Sequence, residues 1–327
     1  NFFMIITRTP FRIPLAGGGT DLDFYYRIKK GEMISSTFNH YIFVLLAERP
    51  TDDKILIQTT STQFSNNINK VKHKIIKEVL KYFNIKKKIQ IGTFSTLPSS
   101  SGLGTSSSLI VGLILAILKF KKQKMSRNKI AQVAFLIERK ILKYSGGWQD
   151  QIIASYGGIQ HIHINKKGIF SSKPINISLK NVRKLESKFI LVFTKELRNS
   201  SKIIASQKKD LKNTIINYDL IKELVPEMLI SLKRGDYRSI GQIFHRHWNI
   251  KKKLSKKISS SKIDRIYKKL LKKGDFIGGK LIGAGGGGFF LMVSNNTKKS
   301  LLFLKKNKIN YTNFKFSYGG TRIENSY

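Results

Sequence analysis

The sequence of 327 residues contains no cysteine, so disulfide bridges and thiolate-bound metals are excluded. Acidic residues are also scarce: 19 Asp and Glu stand against 61 Lys and Arg, and the formal net charge is +42. The longest apolar run, residues 109–118, has about half the length that crosses a bilayer. The apolar run at residues 2–6 is too short for a secretory signal. We therefore expect a soluble, cytoplasmic protein without a membrane segment.

Lysine carries most of the positive charge, with 48 Lys against 13 Arg. The lysines are spread in short runs, such as residues 86–88, 251–253 and 272–273. Nucleic-acid-binding proteins usually concentrate their charge on one face and favour Arg where bases are read. We therefore expect mostly solvated surface charge and no nucleic-acid partner, and keep an RNA-binding protein as an alternative. In both cases the positive field attracts anionic substrates.

Hydrophobic periodicity predicts strands and helices in both halves of the chain, without a regular βαβ alternation. Strands are predicted at residues 4–13, 33–47, 54–60, 89–96, 158–164, 189–194 and 311–317, with a strand–loop–strand unit at 279–293. Helices are predicted at residues 71–83, 103–120, 126 to about 144, 148–155, 213–233, 236–253, 259–272 and 298–305. This order predicts an α+β fold with two domains, residues 1–170 and 171–327.

A segment rich in glycine and serine, residues 98–108, lies between a predicted strand and a predicted buried helix. Gly102 and Gly104 permit backbone amides to approach a ligand, and the positive end of the helix favours phosphate. The hydroxyls of Thr105 and Ser106 can bind phosphate oxygens or magnesium. The segment lacks the lysine of a Walker A loop and the third glycine of a dinucleotide-binding fingerprint. By itself it also fits a serine-capped helix after a flexible loop.

Two further glycine-rich segments flank this one in the chain. Residues 10–21 contain three consecutive glycines before Thr20 and Asp21, which by themselves fit a turn with an aspartate cap. Residues 278–289 contain four consecutive glycines, which fit a tight hairpin. Because a glycine run costs backbone entropy and offers no side chain for packing, we expect a close backbone approach in this third segment.

Two acidic residues lie between the second and third segments. Glu138 shares its predicted helix with apolar residues, and Asp150 follows Gly146 and Gly147. A surface position is the alternative for each of them. In a chain with only 19 acidic residues, an acid close to two glycines is a candidate functional group.

The three segments, in this order and spacing, resemble the three signature motifs of the GHMP kinases. The pattern Pro-x-x-x-Gly-Leu-Gly-x-Ser-Ser at residues 98–107 is the most specific of them, and the resemblance covers nearly the whole chain. It implies an N-terminal domain like the second domain of ribosomal protein S5 and a ferredoxin-like C-terminal domain. It also implies a kinase that uses ATP and magnesium.

One branch of that family resembles this chain in two places. Residues 17–22 and residues 146–151, with the sequence GGWQDQ, are similar to those of D-glycero-D-manno-heptose 7-phosphate kinases. The resemblance implies phosphorylation of the anomeric hydroxyl to give a 1,7-bisphosphate, for nucleotide-activated heptose and surface polysaccharide. L-fucokinase domains share a similar GGWQDQ, so an L-fucokinase-like or other anomeric sugar kinase is the alternative. Galactokinases carry Glu-His where this chain has Gly18 and Gly19, which argues against galactose.

The resemblance also assigns roles to individual residues. It implies that Asp150 takes the proton from the attacking hydroxyl and that Arg12 stabilises this carboxylate and the transferring phosphoryl group. Ser106 and Glu138 match the magnesium ligands. The ATP-binding residues are Pro98, Ser100, Ser101, Gly102, Leu103, Gly104, Thr105, Ser106 and Ser107, and the substrate-binding residues are Gly18, Gly19, Thr20, Asp21, Gly147, Gly285, Gly286 and Gly287.

We further assign Arg8 to the substrate's own phosphate, with an exposed charge at a strand end as the alternative. An RNA-binding protein would need neither the carboxylates nor Arg12 at these positions. The expected partner is a small-molecule sugar phosphate. The sequence leaves the oligomeric state open, with a homodimer among the alternatives.

Overall fold

The computed structural model describes residues 4–98, 102–196 and 200–326. Its strands are β1 (Met4–Ala16), β2 (Gly31–Glu48), β3 (Ile55–Gln58), β4 (Thr62–Ser65), β5 (Ile89–Ser95), β6 (Ile159–Ile164), β7 (Phe170–Pro174), β8 (Phe189–Phe193), β9 (Phe276–Leu281), β10 (Phe289–Ser294), β11 (Tyr311–Asn313) and β12 (Arg322–Ser326).

The α-helices connect and cover these strands. They are α1 (Asp23–Lys29), α2 (Lys74–Tyr82), α3 (Thr105–Phe120), α4 (Arg127–Phe135), α5 (Gln149–Tyr156), α6 (Leu179–Glu186), α7 (Ser200–Gln207), α8 (Leu211–Arg234), α9 (Tyr237–Lys252), α10 (Ser261–Lys273) and α11 (Thr297–Lys306). A π-helical turn, Leu136–Ile141, continues α4, and 3-10 turns occupy Ile68–Lys70 and Lys208–Asp210.

The first sheet is built around the long antiparallel pair of β1 and β2. Its described strands run in the order β12-β1-β2-β5-β3-β4, and the β6–β7 hairpin joins at β2. Because β2 has 18 residues, its first part pairs with β6 and its last part with β5. The first sheet therefore provides one continuous surface on which helices pack.

Helix α3 crosses this surface, and nearly all of its length is buried. The sequence predicted this because the helix is apolar on every side. The contact is close at Gly112, whose carbonyl accepts a hydrogen bond from the Thr7 hydroxyl at 3.1 Å. A Cβ atom at Gly112 would lie 2.8 Å from the hydroxyl oxygen of Thr9. The packing therefore fixes the N-terminus of α3 relative to β1.

The second sheet is four-stranded and antiparallel among the described residues, in the order β11-β8-β10-β9. Helices α8 to α11 belong to the same half of the chain as this sheet. In the hydrophobic core of this half, the rings of Trp248 and Tyr267 pack against Phe290. The two sheets with their helices confirm the α+β, two-domain fold that the sequence predicted.

Two strands that the sequence did not predict, β12 and β7, come wholly or mostly from the second half of the chain but belong to the first sheet. β12, at the end of the chain, pairs with β1 in the first sheet. β7 spans the predicted division at residue 170 and belongs to the first sheet. The assignment of residues 1–170 and 171–327 to separate domains stays a prediction.

The sequence also did not predict β4, α1, α6 and α7. Among the described residues, no helix combines the length and apolar composition needed to span a membrane.

Candidate active site

A cavity of about 620 Å³ lies between the two halves of the molecule. The glycine loop before α3, the start of α5 and the loop after β1 line one wall, and α7, α9 and β9 line the other. Clefts of this size between domains are the usual location of small-molecule sites. The cavity therefore contains the candidate site.

The ion pair between Arg12 and Asp150 lies in the wall formed by the first half. Arg12 donates from Nε to Oδ1 of Asp150 at 2.5 Å and from Nη2 to Oδ2 at 3.1 Å. Its third nitrogen, Nη1, donates to the carbonyl oxygen of Gly102 at 2.6 Å. The Arg12 side chain is 8% exposed and that of Asp150 is 18% exposed. Two parallel hydrogen bonds fix the plane of the carboxylate, so its orientation towards the cavity is defined.

The glycine loop brings a helix N-terminus to the same place. Gly104 has a φ of +79°, and α3 begins at the next residue, Thr105. A Cβ atom at Gly104 would lie 3.1 Å from Cγ of Arg12 and 3.3 Å from Oδ2 of Asp150. The first turn of α3 has backbone N–H groups without helical partners, which favour an anion such as phosphate. The loop therefore places a phosphate-binding position beside the Arg12–Asp150 pair.

The predicted ATP-binding residues occupy different positions relative to this cavity. Gly102, Gly104, Thr105, Ser106 and Ser107 line it. Leu103 is buried instead, and its carbonyl accepts a hydrogen bond from the backbone of Arg12. Pro98 is exposed and does not line the cavity. Ser100 and Ser101 lie outside the described residues.

Glu138 reaches the cavity from the π-helical turn after α4. The sequence predicted a regular helix there, but the amide of Leu142 bonds to the carbonyl of Ile137, five residues earlier, which widens the turn. Glu138 is only 3% exposed, and its Oε2 accepts hydrogen bonds from the Ser107 hydroxyl at 2.5 Å and from Gln151 Nε2 at 2.6 Å. The hydroxyl in contact with Glu138 is therefore that of Ser107, one residue after the predicted ligand Ser106.

The donor set around Glu138 is suitable for magnesium. Glu138, Ser106 and Ser107 offer a carboxylate and two hydroxyls, and all three line the cavity beside the phosphate-binding loop. Mg²⁺ prefers hard oxygen ligands and usually combines one or two protein ligands with substrate phosphates. The residues present therefore fit this ion.

Asp21 is the other buried acid of this wall. Backbone amides of Gly19 and Gln149 donate to its two carboxylate oxygens at 3.2 and 3.0 Å. Burial raises the pKa of Asp21, the hydrogen bond from Gln149 opposes this, and the nearby Asp150 carboxylate raises it further. A Cβ atom at Gly147 would lie 2.2 Å from Oδ2 of Asp21, so the absence of a side chain there allows the contact.

The remaining predicted substrate residues of the first half separate into two groups. Gly18, Gly19 and Gly147 line the cavity with Asp21. Thr20 is fully buried, and its hydroxyl donates to the carbonyl oxygens of Gly17 and Glu32, both at 2.8 Å. Thr20 therefore supports the loop, and it does not line the cavity.

Arg8, which the sequence assigned to the substrate's phosphate, does not line the cavity. Arg8 lies four residues before Arg12 on β1, about 13 Å away at the rise of an extended strand. Its Nε lies 2.6 Å from Oε1 of Glu324 on β12, and its guanidinium stacks over the Tyr41 ring at 4.4 Å. The charge is thus paired away from the cavity. The alternative, an exposed charge at a strand end, does not describe Arg8 either, because Arg8 lies within β1 and its side chain is 24% exposed.

The third glycine segment also differs from its predicted role. Gly283 and Ala284 line the cavity, whereas Gly285, Gly286 and Gly287 do not. Added Cβ atoms at these three glycines would lie 2.5–2.9 Å from atoms of Ile258, Ile203 and Glu196. The expected close backbone approach is confirmed, but the partners are other segments of the second half.

Sequence reasoning missed the opposite wall of the cavity. Lys280 is 1% exposed, and its Nζ donates to the carbonyl oxygen of Leu15 at 2.9 Å. Lys251 donates to the carbonyls of Leu281 and Gly283, and His247 is 3% exposed. Tyr218 completes this wall and donates to Gln207 Oε1 at 2.7 Å. No local signal distinguished these lysines in a chain with 48 of them.

A second group of potential metal ligands lies on the first sheet outside the cavity. Ligand atoms of Glu32, His161 and His163 are within 4.8 Å of one another, and His161 Nε2 lies 2.8 Å from Glu32 Oε1. Imidazole ligands favour transition metals over magnesium. Glu138 is therefore the better match to a magnesium ion.

Comparison with known proteins identifies a kinase family, which is consistent with a phosphate-binding loop in the cavity. The family described as GHMP kinases N terminal domain matches residues 69–158, and GHMP kinases C terminal matches residues 228–310. A D-glycero-alpha-D-manno-heptose 7-phosphate kinase from Campylobacter jejuni is 33% identical over 297 residues, which is 86% of each chain. The chain therefore belongs to the GHMP kinase family. It is an ATP-dependent sugar kinase of that family.

Solved structures support the fold. A D-glycero-D-manno-heptose 1-phosphate kinase from Bacteriodes thetaiotaomicron superposes with a TM-score of 0.82 over 99% of both chains, at 24% identity. A mevalonate kinase from Methanococcus jannaschii superposes with a TM-score of 0.74 over 95% of this chain and 98% of its own, also at 24% identity. The same architecture thus carries kinases for different small molecules.

The raised pKa of Asp21 predicts a pH-dependent stability difference. A carboxyl whose pKa is raised by folding stabilises the protein at low pH, and this contribution is lost as pH rises through the folded-state pKa. Asn does not titrate. The melting temperature of the wild type relative to Asp21→Asn should therefore increase as pH falls from 7 to about 4.

Asp52 provides a control with the opposite sign. Hydrogen bonds from Arg49 lower the pKa of Asp52, so its stabilising contribution is lost on acidification. The melting temperature of the wild type relative to Asp52→Asn should therefore stay nearly constant between pH 7 and about 4, and should decrease as pH falls further below the usual Asp pKa of 3.8. Parallel pH trends for the two variants would contradict the assignment of Asp21 as a buried acid with a raised pKa.

Proposed function

We propose that this kinase phosphorylates the anomeric hydroxyl of D-glycero-D-manno-heptose 7-phosphate, with ATP as donor and magnesium as the activating ion. The product is the 1,7-bisphosphate, a precursor of nucleotide-activated heptose for surface polysaccharide. The observation that carries the proposal is the bidentate Arg12–Asp150 pair beside the glycine loop at the N-terminus of α3. The named relative from Campylobacter jejuni supports the choice of sugar.

The geometry supports a direct transfer. The anomeric oxygen attacks the γ-phosphorus, the bond from that phosphorus to the bridging oxygen breaks, and ADP leaves. Asp150 orients the hydroxyl and accepts its proton, and Arg12 holds the carboxylate in place while its positive charge stabilises the transferring phosphoryl group. An anomeric hydroxyl is more acidic than an ordinary alcohol, so a carboxylate is a sufficient proton acceptor.

The other residues of the first wall position the ATP phosphates, the magnesium ion and the sugar. The amides of the first turn of α3 hold the ATP phosphates, and Ser106, Ser107 and Glu138 would hold magnesium. The bound ion neutralises charge on the β- and γ-phosphates. Asp21, next to Gly18 and Gly19, accepts hydrogen bonds from sugar hydroxyls. The absence of a side chain at Gly19 makes room for the Tyr218 ring, since a Cβ atom there would lie 2.2 Å from Cε1 of Tyr218.

Asp150→Asn tests the proton acceptor. The amide is nearly isosteric with the carboxylate but cannot accept the proton, so turnover should fall about 10²–10⁴-fold while ATP binding is retained. Steady-state kinetics and ATP titration measure the two effects. Turnover within about threefold of the wild type would show that Asp150 is not the acceptor.

Glu138→Gln tests the metal site. With one negative charge removed from the ligand set, the magnesium concentration for half-maximal activity should rise and turnover should fall, while sugar affinity changes little. Glu78→Gln on α2 is the control with the same change of charge, because Glu78 pairs with Lys81 and does not line the cavity. An unchanged magnesium requirement in Glu138→Gln would exclude this carboxylate as a ligand.

A substrate panel tests the choice of sugar. The enzyme should prefer heptose 7-phosphate over unphosphorylated heptose and over L-fucose, because a remote dianion provides binding energy that orients the reacting centre. Arg8→Ala should leave this preference intact, since Arg8 pairs with Glu324 away from the cavity. Equal kcat/KM values for the phosphorylated and unphosphorylated heptose would favour an L-fucokinase-like activity instead.

A further inference from the structure

The wall that the second half contributes to the cavity is basic and almost completely buried. Lys280, Lys251 and His247 are 1%, 8% and 3% exposed, and all three line the cavity. They come from two neighbouring elements of the second half, α9 and β9. Basic residues of a protein with many lysines normally lie in solvent, so burial of three of them at one place requires a physical reason.

The immediate surroundings of Lys280 do not neutralise its charge. Its Nζ donates to the Leu15 carbonyl and lies 5.2 Å from the centroid of the Phe244 ring. Within the described part of the chain it forms no ion pair with a carboxylate. Carbonyl dipoles orient an ammonium group but carry no net charge, and a buried cation without a counter-charge is costly.

The neighbouring groups add to this basic character. Lys251 donates to the carbonyls of Leu281 and Gly283, two residues that also line the cavity. The buried Nδ1 atom of His247 has no hydrogen-bond partner in the described residues. Both lysines lower the pKa of His247 after the larger effect of burial, which shows that the three groups interact. An anion in the cavity would interact favourably with this wall.

We infer that Lys280, Lys251 and His247 form the subsite for the phosphate group that the sugar carries. This inference rests on the proposed function, because that function supplies a substrate with a phosphate far from the reacting hydroxyl. The glycine loop and Arg12 occupy the first wall and receive the ATP phosphates. A sugar phosphate that spans the cavity presents its hydroxyl to Asp150 and its dianion to the basic wall. The subsite thus takes the role that the sequence assigned to Arg8.

The test compares heptose 7-phosphate and unphosphorylated heptose in Lys251→Met and Lys280→Met. Methionine keeps the length and apolar character of the lysine stem and removes the charge. For each variant, kcat/KM for heptose 7-phosphate should fall about 10–100-fold, the contribution of one charge-assisted hydrogen bond, while the value for heptose stays within about threefold of the wild type. Lys253→Met removes the same charge from an exposed position two residues after Lys251, and both values should be unchanged.

The outcomes separate the inference from the proposed function. A wild type that prefers heptose 7-phosphate, with the preference intact in both variants, would overturn the subsite and leave the proposed function standing. Equal losses with both sugars would assign the lysines to the transferring phosphoryl group and also overturn the subsite. No preference in the wild type would overturn the proposed function and the subsite together. If loss of the Leu15 contact prevents folding of Lys280→Met, as melting temperatures would show, Lys251→Met decides alone.

Discussion

The bidentate ion pair between Arg12 and Asp150 is the interaction on which the site depends. It joins three segments that are far apart in the chain, because Arg12 lies on β1, Asp150 lies in the first turn of α5, and the remaining guanidinium nitrogen binds the glycine loop at Gly102. A carboxylate that must meet a sugar hydroxyl needs a fixed orientation, and two parallel hydrogen bonds provide it. The packing of α3 on β1 then fixes the phosphate-binding loop relative to the same carboxylate.

Charge is divided between the two walls of the cavity. The first half contributes the acids Asp21, Glu138 and Asp150 with Arg12 among them, and the second half contributes Lys251 and Lys280. This division suits a reaction in which a hydroxyl loses a proton and anionic phosphate groups are held. It also places three carboxylates together in a protein whose net charge is +42.

The sequence predicted the features that depend on short segments. The glycine loop and the buried α3 belong to contiguous motifs, and Asp150 and Glu138, whose roles only the family resemblance implied, do line the cavity. Features that depend on distant pairing were missed, such as β12 on β1. The pairing of Arg8 was also missed, because a strand position alone does not show which partner pairs with the charge, and here the partner Glu324 comes from the far end of the chain. Lys280 was missed because one lysine among 48 carries no local signal.

The buried charges of the two walls also bear on stability. Asp21 and Lys280 are each held in an environment that disfavours their charged form, since burial raises the pKa of the first and lowers the pKa of the second. The free enzyme therefore carries an electrostatic cost that a bound substrate can relieve through hydroxyl contacts on one wall and phosphate contacts on the other. A ligand that binds only the folded state stabilises that state. Substrate binding therefore offsets the electrostatic free energy that the buried charges cost the free enzyme. In the free enzyme, the apolar cores of the two halves hold both walls of the cavity in place. The site is therefore preorganised for phosphoryl transfer.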